Sequence, residues 1–301
     1  MDWLFRKGVL LVALSIVGLT LLLAWELFLH SRLPIEKFGW SFLWKTTWDP
    51  VGEVFGALPF LYGTLVTSFL ALLIAVPVGL GMAIFLSELV SPWVANPISL
   101  LVELLAAIPS VIYGLIGIFV LVPLMRNSGE PFLKQMLGFL PFFQGTPYGV
   151  GMLTAGILLA IMILPFIISV SREILLSVPN TQREAILSLG ATRWEMIRIA
   201  VIPYARSGIF GSVFLALARA LGETMAVTMV IGNRPDIKLS LFEPSYSMTA
   251  IIANEFSEAT SDLYIQSLIE IGLILFGVTI LIHALARILV YRVTSKVEGR
   301  T

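Results

Sequence analysis

Six apolar segments constrain the fold of this chain more than any other feature of its sequence. They lie near residues 8–29, 62–87, 98–125, 149–170, 207–232 and 266–290. A hydrocarbon core of about 30 Å requires about 20 apolar residues in helical form, whereas a barrel strand has about 10 residues of alternating polarity. The sequence therefore predicts an all-α fold, that of a polytopic membrane protein with six transmembrane helices.

The composition excludes several other classes of protein. Hydrophobic residues make up 58% of the 301 residues and charged residues only 13%, against about a quarter in soluble domains. Such a chain is not disordered, and without cysteine it is not a disulfide scaffold. Basic and acidic residues number 19 each, so no basic field points to nucleic acid as a partner.

The first segment begins like a secretory signal peptide, because Arg6 and Lys7 precede its apolar run. That run, residues 8–23, exceeds the usual signal-peptide core of about 7–15 residues. No small-residue cleavage site follows before His30. We therefore expect a retained span.

The basic residues between the spans predict the orientation. Eleven lysines and arginines fall on the side that holds both termini, five of them in the loop 171–206, and seven fall on the other side. This bias places both termini in the cytoplasm. We divide the chain into the first helix with an outer interfacial segment, 1–61, and a five-helix core, 62–301.

The two long outer connections differ in character. The first contains Trp40, Trp44 and Trp48, and tryptophan is typical of the membrane–water interface. The second, 233–264, is acidic, and we expect it outside the membrane, where a soluble partner could dock.

Pro77, Pro109 and Pro165 fall deep inside predicted spans. Each removes a helical hydrogen bond, and in lipid the freed carbonyl needs another partner. Simple kinking would explain each one alone, but three in separate spans favour a moving or cavity-lining bundle. Gly79 and Gly81 beside Pro77 permit close approach of a neighbouring helix.

Arg219 lies near the middle of the fifth predicted span, where an arginine costs about 2.5–3.5 kcal/mol on insertion scales. Glu223 follows four residues later, so in a continuous helix both side chains project from one face. The pair could be a structural ion pair. Intramembrane ionisable groups usually face a pathway, however, and a guanidinium fork suits phosphate-like oxyanions. We therefore expect Arg219 and Glu223 to line a substrate path.

The run 180–203 interleaves charged and apolar residues, with Gly190 between two short helices. Such a hairpin could lie on lipid or dock into a groove on a partner. The chain contains no G-x-x-x-x-G-K-[ST] string, so any ATP hydrolysis must occur in another chain. We expect no metal or cofactor, because His30 and His283 lack metal-ligand spacing.

The string EAILSLGATRWEMIRIAVIP, residues 184–203, resembles the EAA loop of ABC-importer permeases, in which an E-A-A-x-x-x-G turn precedes I-x-L-P. Glu184, Ala185, Gly190 and Pro203 match that pattern, and Ile186 replaces the second alanine. The strings ELLAAIPSVIYGL at 103–115, RALGETMAVTMVIGN at 219–233 and ANEFSEA at 253–259 narrow the resemblance. With them, nearly the whole chain is similar to the PstC permeases of phosphate importers.

The resemblance implies a type I ABC importer permease fold in the cell inner membrane. It implies one half of a pathway for inorganic phosphate, with no enzymatic activity of its own. The implied partners are a homologous permease (PstA-like), an ATPase dimer (PstB-like) and an extracytoplasmic phosphate-binding protein (PstS-like). Arg219 and Glu223 then line the path, and the four matching EAA residues couple to the ATPase.

Two alternatives stay open at this point. A string close to RALGE also resembles sulfate and molybdate permeases, so another oxyanion could be the substrate. A secondary transporter or channel working without ATP would explain the spans and the buried charges, but it would leave the loop 184–203 unexplained.

Overall fold

The computed structural model describes residues 2–298, which form twelve α-helices, when π turns are counted with the helices they continue, and one 3-10 turn, Pro141–Phe143. In chain order the helices are α1 (Asp2–Leu29), α2 (Arg32–Phe38), α3 (Ser41–Trp44), α4 (Leu58–Leu89), α5 (Pro92–Ala106), α6 (Ser110–Leu137), α7 (Met152–Leu176), α8 (Asn180–Ser188), α9 (Arg193–Gly222), α10 (Met225–Val230), α11 (Met248–Glu255) and α12 (Asp262–Glu298). The orientation predicted for the two termini also concerns residues 1 and 299–301, which lie outside the described residues.

The expectation of an all-α protein with six spans is confirmed. Helices α1, α4, α6, α7, α9 and α12 are each long and apolar enough to cross a membrane. The shorter α5 is a seventh apolar helix of 15 residues. The large apolar side chains of α1 are exposed along its length, whereas two thirds of the apolar window of α7 is buried (67%). The core therefore surrounds α7, and α1 lies at the periphery.

Helices α4 and α7 run side by side in the same direction. A Cβ on Gly156 of α7 would meet Leu70 of α4 at 2.8 Å, and a Cβ on Gly79 of α4 would meet Ile167 of α7 at the same distance. Small residues let transmembrane helices approach closely, which adds van der Waals contact. The expectation for Gly79 is confirmed, but that for Gly81 is wrong, because nothing lies within 4 Å of a Cβ at that position.

Three π turns inside the spans have a common cause in proline. The turns Gly117–Leu121, Met125–Gly129 and Ile197–Val201 each end two residues before a proline. A proline ring clashes with the carbonyl four residues earlier, and in each case that carbonyl belongs to the central residue of the π turn. The wider turn thus accommodates Pro123, Pro131 and Pro203 while the helix continues.

Two predicted spans were placed wrongly across helix interruptions. The segment 98–125 joins the end of α5 to the start of α6, and 207–232 joins the end of α9 to α10. Pro109 is therefore a helix boundary and not a kink: it lies before α6 with φ −58° and ψ 141°. A hydropathy pattern cannot detect such an interruption, since the residues on both sides of it are apolar.

The outer connections are more compact than the sequence suggested. Trp40 and Trp44 are exposed, as expected of interfacial anchors. Trp48 instead packs edge-on against Phe55 and Phe60, and its indole N–H donates to Glu255 Oε2 at 2.8 Å. The second connection, predicted to lie outside, contains α11, whose first turns are buried in the bundle.

Candidate substrate path and coupling loop

Two interrupted spans lie side by side in this fold. Residues 107–109 separate α5 from α6, and residues 223–224 separate α9 from α10. The start of α6 packs on α10, since a Cβ on Gly114 would come within 3.3 Å of Ala226 Cα. With 15 residues, α5 is about 22 Å long, so a helix of this length that starts at one membrane surface ends inside a hydrocarbon core of about 30 Å. Non-helical backbone at that depth is tolerated only when it is buried in protein or lines a water-filled cavity.

Tyr113 closes the first interruption. Its side chain is only 5% exposed, and its hydroxyl donates a 2.7 Å hydrogen bond to the Leu105 carbonyl. The last carbonyls of a helix lack partners within the helix, so a buried hydroxyl satisfies a group that lipid cannot. The tyrosine therefore fixes the end of α5 to the beginning of α6.

Arg219 lies in the last turn of α9, next to the second interruption. The Arg219 side chain is exposed, and it forms no hydrogen bond or ion pair with the side chains that the structure describes, those of residues 3, 5–288 and 290. It lies within electrostatic range of the Tyr113 hydroxyl. The structure thus brings the arginine to the point where the two interruptions meet.

Glu223 does not share a helical face with Arg219, so that expectation is wrong. The helix ends at Gly222, and Glu223 is extended, with φ −71° and ψ 126°. Its carboxylate Oε1 instead accepts a hydrogen bond of 3.2 Å from the Ala226 N–H in the first turn of α10. A carboxylate at a helix N-terminus is favourable because it accepts from amides without helical partners. Glu223 therefore starts α10 and leaves Arg219 without a counter-charge.

Hydroxyl groups hold the second interruption from the side of α4 and α11. Thr249 Oγ1 donates to the Glu223 carbonyl at 2.8 Å. The Met248 N–H donates to Thr64 Oγ1 of α4 at 2.9 Å, and Ser247 caps α11 by accepting from the Ala250 N–H. These bonds connect the interruption directly to the outer end of α4. A sequence search for charges could not find them, since single hydroxyls carry no periodic signal.

The loop 180–203 forms the predicted helix–turn–helix. Gly190 turns the chain between α8 and α9 with φ +86°, a conformation that favours glycine. Thr192 and Glu195 then form a reciprocal capping box that starts α9. The second helix is not short, however, because α9 continues through Pro203 into the bundle.

The matching EAA residues lie on the surface of this loop. Glu184, Ala185, Gly190 and Pro203 are all exposed, together with Leu189 (83%) and Trp194 (59%). Ile186 points the other way and packs against the buried cluster around Leu175 and Ile197. An exposed apolar patch of this kind typically marks an interaction site.

Sequence reasoning missed the charged pair beneath this surface. Arg183 of α8 binds Glu88 at the C-terminal end of α4, with Nη2 to Oε1 at 2.7 Å and Nε to Oε2 at 3.2 Å. The exposed fractions of the two side chains are 14% and 4%. The partners are 95 residues apart in the chain, so no local spacing could reveal them.

The chain matches the family described as binding-protein-dependent transport system inner membrane component over residues 75–295. A phosphate transport system permease protein PstC of Mesorhizobium japonicum is 50% identical over 295 residues, covering 97% of this chain and 89% of the relative. One from Haemophilus influenzae is 48% identical, covering 95% and 92%. A probable PstC of Methanocaldococcus jannaschii is 35% identical, covering 92% and 90%.

Solved structures confirm the fold. A bacterial alginate ABC transporter, in complex with a pentasaccharide-bound periplasmic protein, matches with a TM-score of 0.63 at 16% identity, covering 97% of this chain and 96% of that one. The MetNI methionine ABC transporter, facing inward, matches with a TM-score of 0.53 at 20% identity, covering 79% and 94%. The fold is therefore that of a type I ABC importer permease. The chain belongs to the family of binding-protein-dependent transport system inner membrane components and, within it, to the PstC permeases.

Proposed function

We propose that this chain is a permease subunit of an ATP-driven importer of inorganic phosphate and forms half of the translocation pathway. One observation carries the proposal: an exposed arginine without a counter-charge at the meeting point of two interrupted spans. The PstC relatives are named as parts of phosphate transport systems. The chain thus acts as a transport component and not as an enzyme.

Arg219 supplies the interaction with the passing anion. An arginine facing lipid near the middle of a bilayer is costly, so this face of α9 requires water or protein against it. A homologous PstA-like permease seated there would complete an aqueous path between the two subunits. The guanidinium offers a planar set of donors that fits phosphate oxygens in a bidentate manner.

Glu223 contributes to the path by shaping it. The Glu223 carboxylate accepts a hydrogen bond from the first turn of α10, and the Glu223 carbonyl accepts one from Thr249. These two bonds fix the position of the residue between α9 and α10. Because Glu223 forms no ion pair with Arg219, a single guanidinium contacts the passing anion, and the binding is weak. Weak binding suits transport, since a tightly held anion would not leave.

The coupling loop receives a PstB-like ATPase dimer on the exposed surface that contains Glu184, Ala185 and Gly190. The apolar side chains of Leu189 and Trp194 give that surface its contact area. Pro203 follows the π turn of α9, so a displacement of the loop enters the bundle at a wider, more deformable turn. Both termini lie in the cytoplasm with this loop.

The outer face receives a PstS-like phosphate-binding protein. Within the first part of the chain, 1–61, α1 is peripheral because it is exposed along its length, whereas Phe42 and Phe55 pack against Tyr246 and Leu268 of the permease core that surrounds α4 and α7. High-affinity capture of phosphate belongs to the external protein and not to this chain.

The direct test measures phosphate uptake by vesicles that contain the assembled transporter, with and without ATP. We expect Arg219→Gln to abolish uptake while the partner subunits still copurify. Arg219→Lys should keep partial uptake, because it retains the charge and loses the planar fork. Arg6→Gln is the matched control, since Arg6 is exposed on the peripheral helix α1, outside the path, the coupling loop and the outer connections.

Near-normal uptake by Arg219→Gln would refute the assignment of the path. Competition by sulfate or molybdate at the same concentrations as phosphate would refute the proposed substrate. Uptake driven by an ion gradient without ATP would refute the importer mechanism itself.

A further inference from the structure

The guanidinium of Arg183 uses all five of its N–H groups. Two go to the Glu88 carboxylate, two to the backbone carbonyls of Leu175 and Val178, and one to Asn180 Oδ1 at 3.3 Å. Arginine has five donors and no acceptor, so this side chain is fully satisfied. The residue therefore has one fixed position relative to three helices: α4, α7 and α8.

The electrostatics of the site favour that position. Leu175 lies in the last turn of α7 and Val178 lies two residues beyond its end, where the carbonyls of a helix C-terminus attract a cation. The Leu175 carbonyl also accepts from the Val178 N–H at 3.3 Å. Glu88 lies at the C-terminal end of α4, where the helix dipole disfavours a carboxylate, and its side chain is only 4% exposed. Glu88 therefore depends on Arg183 for compensation of its charge.

We propose that the Arg183–Glu88 pair transmits the movement of the coupling loop to α4 and α7, and that Arg183 and Glu88 are positioning residues for transport. This inference rests on the proposed function. The pair joins α8, the exposed helix that carries Glu184, to the two parallel helices at the centre of the bundle.

Helix α4 carries the displacement onward to the path. Its cytoplasmic-loop end holds Glu88, and its outer end holds Thr64, which accepts from the Met248 N–H. Thr249, the next residue, donates to the Glu223 carbonyl at the interruption beside Arg219. A shift of α4 along its axis therefore acts on the backbone of the candidate path through two hydrogen bonds.

The test compares phosphate uptake with ATP hydrolysis in vesicles that contain the assembled transporter. We expect Arg183→Lys to assemble, because it keeps the charge beside Glu88, but to hold α7 and α8 loosely with three donors instead of five. Uptake per ATP hydrolysed should fall about tenfold, within the usual range of coupling between distant sites.

The double variant Glu88→Gln with Arg183→Gln keeps the test decisive if a single variant fails to fold. It leaves no unpaired buried charge, and we expect the same loss of uptake per ATP. Arg6→Lys and Glu173→Gln are matched controls, since both residues are exposed and lie outside the pair and outside the coupling loop. They should keep the wild-type ratio.

A wild-type ratio in both Arg183→Lys and the double variant would overturn the inference. So would a smaller amount of assembled transporter with an unchanged ratio, because a structural role alone predicts that result. If wild-type vesicles took up sulfate in place of phosphate, the proposed substrate would fail, but the same ratio measured with sulfate would still test the pair.

Discussion

Replacing Gly63 by alanine should destabilise this protein, whereas the same change at Gly81 in the same helix should not. Gly63 faces the chain just before α11. A Cβ there would lie 2.8 Å from Ser245 Oγ and 2.9 Å from the carbonyl carbon of Tyr246, and still closer to its oxygen. Real Cβ atoms do not approach backbone so closely, so either α4 or this segment must move.

The segment has little freedom to recede. The Ser245 N–H donates to the Ile231 carbonyl at 3.0 Å, and the Ser245 carbonyl accepts from the backbone N–H of Arg234 at 3.1 Å. Overpacking of this kind typically costs about 1–3 kcal/mol, while glycine to alanine within a helix returns about 0.5–1 kcal/mol. We therefore expect a net loss of up to about 2.5 kcal/mol at Gly63. At Gly81, where a Cβ meets nothing within 4 Å, we expect a gain of about 0.5–1 kcal/mol.

Thermal unfolding of the two variants in the same detergent measures the difference. The midpoint should fall for Gly63→Ala and stay level or rise for Gly81→Ala. Uptake should also fall for Gly63→Ala, because the displaced segment leads into Met248 and Thr249 at the path. Equal midpoints for the two variants would refute the close approach of α4 to this segment.

Two further predictions concern the coupling loop and the first interruption. Gly190→Ala places a Cβ in open space but in the left-handed region, at a cost of about 1–2 kcal/mol, and asparagine tolerates that region better. The yield of copurified ATPase should therefore decrease from the wild type to Gly190→Asn and further to Gly190→Ala. An equal yield from all three proteins would contradict the role of the turn. Tyr113→Phe removes the hydroxyl donor and leaves the Leu105 carbonyl with only the Ile108 N–H at 3.3 Å among its described partners, at a cost of about 0.5–1.5 kcal/mol, and should lower the unfolding midpoint. Tyr148 has an exposed side chain, so Tyr148→Phe should leave the unfolding midpoint unchanged. Equal midpoints for the two tyrosine variants would contradict the role of Tyr113 in fixing the end of α5 to the start of α6.

The spans could be predicted from the sequence because burial in lipid acts on every residue of a segment. Six apolar helices follow from hydropathy and length alone, and the structure has them. The interruptions at Pro109 and Glu223 could not be predicted this way. A proline within an apolar run is compatible with a kink or with a helix boundary, and only contacts such as Tyr113 to Leu105 decide between them.

The candidate site was predictable only where one residue carried the signal. Arg219 was found because a single cation in an apolar segment is conspicuous. The partners of Glu223 were not found, because its position was inferred from a continuous helix that in fact ends at Gly222. The Arg183–Glu88 pair could not be predicted because the two residues lie in separate polar turns of the sequence. Nothing in their local sequence shows that the fold buries them together.

The two arginines singled out by the structure differ in a way that separates their roles. Arg183 has every donor bound within the chain, so it has no capacity for a ligand and can only hold helices in place. Arg219, among residues 3, 5–288 and 290, has no hydrogen-bonding partner, so its donors remain for water, a second subunit or an anion. An anion that meets one unfixed guanidinium is held weakly, and weak holding is what passage requires. Under the proposed function, the same residue type therefore holds helices in place where its donors are saturated and serves anion passage where they are not.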